Sequence, residues 1–178
     1  IRDRRYPKTW SDELIEYYKT LDCPLRMRMV GLFGEARNLL GLEGLLKAFY
    51  RDPDLVHDIM TFWTDFLIKT YSQALKLIKI DFVYIFEDMA YKNGPHISPK
   101  LFEEFILPNY KKLINFIKDH GVKIIAVDCD GNINVLIPLL LEAGVNCLFP
   151  LEVAAGMDAV KLREQYGNRL LLIGNIDK

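Results

Sequence analysis

The chain has 178 residues, 51% of them hydrophobic and 26% charged, which is enough for one well-cored domain of the globular class. A formal net charge of −1 leaves no basic footprint for nucleic acid. No stretch reaches the roughly 18 apolar residues of a membrane span, and the N-terminal IRDRRYPK has no apolar signal core, so the expected compartment is the cytoplasm.

Three cysteines, Cys23, Cys129 and Cys147, show no CxxC spacing, which argues against a disulfide framework or a thiolate zinc site. The chain starts at Ile1 rather than Met and stops at Lys178 just after an apolar run, and it reads as one domain over 1–178 cut from a longer protein.

Ser11 with Asp12 and Glu13 starts a helix, because a side-chain oxygen caps free N–H groups and acids suit the positive end of the helix dipole; it should run to Thr20. LRMRMV (Leu25 to Val30) alternates as a strand, with Arg26 and Arg28 on one face. Gly31 and Gly34 predict a loose turn, then a helix from Leu42 to Tyr50. Asp52-Pro53 starts a long helix reaching Lys79, with Val56, Met60, Trp63, Leu67 and Tyr71 at core spacing.

DFVYIFED places a strand from Phe82 to Phe86 that opens onto Glu87 and Asp88, followed by the loop MAYKNGPHI. Ser98-Pro99 starts the next helix, and Pro108 predicts a break between 106 and 108 before a second helix to 119. VKIIAVDCDGN is a buried strand ending in three ionisable residues. Asp128 and Asp130 share one face there, and Cys129 points the other way as a small buried hydrophobe. A helix from Asn132 to Glu142, a strand from Val145 to Phe149, a helix from Ala159 to Gln165 capped by Asp158, and a strand from Leu170 to Ile173 complete the pattern.

Alternating strands and helices imply right-handed crossovers and a parallel sheet, closed either as a doubly wound open sheet or as a (β/α)8 barrel. No GxGxxG follows a strand, which weighs against nucleotide binding. A whole barrel takes about 250 residues, so five strands here would be an incomplete TIM barrel with two open edges, a shape that favours a homodimer.

The strand tips carry Glu87 and Asp88, then Asp128, Asp130 and Asn132, then Glu152, then Asn175 and Asp177. In parallel α/β folds the carboxyl edge is where sites form, and His96 lies in the loop after the Asp88 strand. Two carboxylates crowded on one face lose hydration and need a cation, a raised pKa or water. Asp128 and Asp130 are therefore expected as metal ligands or as a general acid/base pair, with Asp88 as third partner and Asn132 orienting a small-molecule substrate. Phe86, Glu152, Asn175, Asp177 and His96 are the expected substrate-binding set. Hard oxygen donors suit Mg or Mn, and Zn could use carboxylates with His96.

Three stretches in order, IFEDMAYKNGPHISPKLFEEFILPNYKKL, AVDCDGNINVLIPLLLEAGVNCLFPLE and GMDAVKLREQYGNRLLLIGNID, resemble the uroporphyrinogen decarboxylase superfamily of (β/α)8 barrels, which also holds corrinoid-linked methyltransferases. The resemblance implies that a decarboxylase pair of Phe and Ser falls on Phe86 and Asp88, the serine having become an acid. It also implies that a zinc-binding His-x-Cys pair of the methyltransferases falls on Asp128 and Asp130. The decarboxylase's substrate-contacting tyrosine has no match in VGLFGEARN, where Phe33 lies nearby, and its arginine-bearing N-terminal segment has no match either. An acidic mouth should repel a polycarboxylate. The expected activity is therefore methyl transfer with a corrinoid protein as partner, the alternatives being uroporphyrinogen decarboxylation and a catalytically incomplete scaffold.

Overall fold

A computed structural model describes residues 10–177. Helix α1 (Asp12–Thr20) leads into strand β1 (Arg26–Val30), and three helices follow: α2 (Leu32–Leu40), α3 (Leu42–Arg51) and the long α4 (Pro53–Leu77). Strand β2 (Phe82–Phe86) is succeeded by a small hairpin, β3 (Ala90–Tyr91) and β4 (Gly94–Pro95). Then come α5 (Pro99–Leu101), α6 (Leu107–Asp119), β5 (Ile124–Asp128), α7 (Ile137–Ala143), β6 (Cys147–Phe149), α8 (Ala159–Tyr166) and β7 (Leu171–Leu172). No helix among the described residues is long and apolar enough to cross a membrane.

The main sheet is wholly parallel with the order β1-β2-β5-β6-β7. Each strand of this sheet is thus laid beside the sheet strand that precedes it in the chain, with the hairpin standing apart. A doubly wound sheet reverses direction at a switch point and the present one does not, so the open-sheet alternative is excluded and the wall is that of a partial (β/α)8 barrel. Burial agrees. Met27, Met29, Val83, Ile85, Ile125, Val127 and Leu148 face the helices and are buried, whereas Arg26, Arg28, Tyr84, Phe86, Asp128 and Phe149 on the other face stay partly open. Helices therefore cover one face, and the inner face of the barrel wall carries the polar chemistry.

Three expectations from the sequence are corrected. The stretch after Gly31 is helix α2 rather than a loose turn, because a buried carboxylate just after β2, Glu87, takes up the first-turn amides of Leu32 and Gly34. The predicted break at Pro108 is absent: a π-helical turn, Phe102–Ile106, joins α5 to α6, with the Leu107 N–H reaching Phe102. Pro108 then falls in the first turn of α6, where its missing N–H costs no hydrogen bond. The helix expected from Asn132 begins later, as a 3-10 turn at Asn134–Leu136 running into α7.

Candidate functional site

Register brings Val30, Phe86, Asp128 and Phe149 into one row at the carboxyl edge of the inner face. Backbone bonds tie the tips together: the Asp128 carbonyl accepts the N–H of Glu87 at 2.9 Å and of Asp88 at 3.3 Å, and the Phe149 carbonyl accepts that of Cys129 at 2.9 Å. Past Asp130 the chain turns at Gly131, whose φ is +82°. A Cβ there would stand 2.7 Å from the Tyr91 carbonyl of the hairpin, so glycine lets the hairpin close over the β5 tip.

Asp128 is the centre of this row. Its carboxylate is half-buried and accepts the hydroxyl of Tyr84, one step back on β2. Burial pushes the Asp128 carboxyl above the ordinary aspartate value. The negative charges of Asp130 and Asp88 push the same way, while the Tyr84 hydroxyl and Arg28 oppose them. Tyr84 in turn is pushed up to about 12, first by burial and then by its bond to Asp128. Arg26 lies over the Tyr84 ring at 4.9 Å and Arg28 over Phe86 at 5.7 Å, so both guanidiniums lean on aromatic faces beside the carboxylate.

Asp88 sits at φ 49°, in the left-handed region that side chains other than glycine rarely adopt. Arg37 of α2 holds it there, donating to its carbonyl at 2.7 Å and to its carboxylate at 2.8 Å. His96 stacks on Phe33 with ring centres 6.3 Å apart. Burial lowers its pKa; Asp88 opposes this and Arg37 adds to it.

Asp128, Asp130, Asp88, Phe86 and His96 are therefore brought to one side of the wall, linked by register or by mutual electrostatics. The other expected residues are placed differently. Glu152 accepts the Gly131 N–H at 2.9 Å and Asn132 donates to the Ala155 carbonyl at 3.0 Å, so both brace the loops after β5 and β6. Asn175 bonds Leu151, Met157 and Ala159 and locks the end of the chain to the α8 entry. Asp177 is exposed in a small cleft with Pro150, Glu152 and Ile176. Cys129 is buried with its thiol pushed up to about 12 by burial, which makes it an inert packing residue. Among the described residues no group of three or more His, Cys, Asp or Glu side chains comes together to hold a metal.

Tyr84, Arg37 and the inner-face role of Arg26 and Arg28 are not visible in local spacing. The alternation of β1 and β2 puts the arginines and Tyr84 each on a face, but only cross-strand register shows that those faces are the one Asp128 occupies.

The family model for uroporphyrinogen decarboxylase (URO-D) matches residues 15–178. The chain belongs to the uroporphyrinogen decarboxylase family. Among solved structures, a methyltransferase from Methanosarcina mazei superposes with a TM-score of 0.72 at 21% identity, over 92% of this chain and 46% of that one. The URO-D chain thus spans about half the length of that structure, and at this identity the likeness speaks for the fold. No curated protein sequence matches it.

Proposed function

We propose that the chain forms part of a small-molecule enzyme whose substrate lies across the inner face, with methyl transfer of the corrinoid-linked kind as the reaction and Asp128 as its proton-handling group. The observation that carries the reading is the setting of Asp128: half-buried at the carboxyl edge, oriented by Tyr84, and pushed towards its protonated form by burial and by two neighbouring acids. When a methyl group leaves a neutral oxygen, nitrogen or sulfur donor, the leaving atom becomes anionic and takes up a proton. A carboxyl that keeps its proton to higher pH than an ordinary aspartate is suited to give it. Asp130 and Asp88 keep the local field negative, which disfavours an anionic methyl donor, and the proton held by Asp128 suits a neutral donor, since a cationic one departs already neutral.

A corrinoid on a partner protein would supply the methyl acceptor; the Methanosarcina mazei structure, described as a methyltransferase, lends the reading its reaction type. A divalent ion on Asp128 and Asp130 has no step in it. Zinc takes four ligands, and the donors here are two carboxylates, one of which already holds a tyrosine hydroxyl.

One observation favours a second reading, decarboxylation of uroporphyrinogen. Arg26 and Arg28 share the inner face with Asp128, so that face is not purely acidic and offers two guanidiniums to a carboxylated substrate. Two assays on one preparation separate the readings: transfer from methylated amines, alcohols and thiols to reduced cobalamin, followed by visible absorbance, and loss of carboxylates from uroporphyrinogen, followed by chromatography. Turnover in the first alone supports methyl transfer; turnover in the second alone replaces it.

A further inference from the structure

Glu87 directly follows β2, points to the helix side and is wholly buried. Its two oxygens are divided between partners. Oε1 accepts the Leu32 N–H at 2.8 Å together with the Tyr110 hydroxyl of α6, and Oε2 accepts the Gly34 N–H at 2.8 Å. The first turn of α2 is thus seated directly on this carboxylate, and Gly31 permits it, since a Cβ there would overlap the carboxyl group. From the end of β5 the Cys129 thiol also lies within electrostatic reach of the pair. Further along the same helix is Arg37, which clasps both the carbonyl and the carboxylate of Asp88, the residue that follows Glu87 in the chain. One short loop therefore hands α2 two grips, a buried one at its first turn and a half-exposed one at Arg37.

We propose that Glu87 is a positioning residue of the site: by seating the first turn of α2 it sets where Arg37 meets Asp88, and so sets the charge that Asp88 presents beside Asp128. The proposal rests on the reading that Asp88 belongs to the functional site. Its consequence follows from the donors around the carboxylate. Every neighbour within bonding distance gives a hydrogen, so a proton on Glu87 must replace one of them: on Oε2 it would face the Gly34 N–H, and on Oε1 it would compete with Leu32 unless the Tyr110 hydroxyl turned to accept it. Burial raises the Glu87 carboxyl to about 7 against the lowering pull of Tyr110 and the α2 amides, so this rearrangement falls in the neutral range. Other groups titrate nearby. His96, on Phe33, is lowered and Asp128 is raised, and both must be told apart from Glu87.

The test is the pH profile of the Arg37 Nε–H resonance by nitrogen NMR on the ligand-free chain, which needs no activity and so fails or succeeds independently of the methyl-transfer reading. The expected result is a transition with its midpoint near 7 that disappears in Glu87→Gln and persists in His96→Gln. Should Glu87→Gln not fold, Tyr110→Phe serves: losing the hydroxyl that favours the ionised carboxylate must move the midpoint upward. A flat profile in the unsubstituted chain, a transition that survives Glu87→Gln or vanishes with His96→Gln, or a midpoint unmoved in Tyr110→Phe would each overturn the proposal.

Discussion

Replacing Glu87 by glutamine should change how stability depends on pH. The carboxyl is wholly buried, and its pKa is raised from 4.5 to about 7 because burial outweighs the hydrogen bonds from Tyr110 and α2. A group whose pKa is higher folded than unfolded binds more protons in the native state. Its stabilising contribution is therefore complete below the unfolded value and is lost as pH rises through the folded one. At about 1.4 kcal/mol per pH unit, the gap between 4.5 and about 7 amounts to about 3 kcal/mol. Glutamine cannot ionise and carries no such dependence. Urea unfolding at closely spaced pH values should show the unsubstituted chain losing about 3 kcal/mol relative to Glu87→Gln between about pH 4.5 and pH 8. His96 and Asp128 titrate in both proteins, so the difference between the two curves reports Glu87 together with any change it makes at those two groups. A stability difference that stays constant across this range would show that Glu87 is ionised throughout, and that burial does not dominate its environment.

Gly31→Ala keeps an allowed backbone, since φ at Gly31 is −75°, but drives a methyl group into the Glu87 carboxyl; thermal unfolding should report a loss of about 3 kcal/mol, and a loss below about 0.5 would refute the close seating of α2. Tyr84→Phe removes the donor that favours ionised Asp128, so a carbon NMR titration of the Asp128 carboxyl should move to higher pH; no movement would mean the hydroxyl does not hold it. Asn175→Ala should cost about 2 kcal/mol through three lost hydrogen bonds while leaving the Asp128 titration in place, because Asn175 braces a loop; a shifted Asp128 titration would return Asn175 to the site.

Much of the architecture is legible in local pattern. The caps at Ser11, Asp52, Ser98 and Asp158 each accept an N–H in the first turn of the helix they begin. The apolar runs ending in Asp88 and Asp128 are strands, and Cys129 faces the core as its alternation requires. What escapes local reading depends on partners far away in sequence. Helix α2 is formed with the help of a carboxylate more than fifty residues later in the chain, so Gly31 and Gly34 look like turn residues when they are in fact close-approach points. Asn132, Glu152 and Asn175 are polar and lie at strand tips, and local pattern does not show that their side chains bond backbone groups of neighbouring loops, a common use of polar residues at the ends of strands. The closure of the sheet likewise depends on strand order, which local pattern does not carry.

The claim on which the functional reading turns is that Asp128 handles the proton of a reaction at the inner face. Its most direct test compares the unsubstituted chain with Asp128→Asn, side by side, in transfer of a methyl group from a small donor to reduced cobalamin. The expected result is measurable transfer by the former and a rate lower by about 100-fold or more in the latter, the usual size of a general acid's contribution. Equal rates in the two proteins would contradict it, as would an unsubstituted chain that decarboxylates uroporphyrinogen and transfers no methyl group.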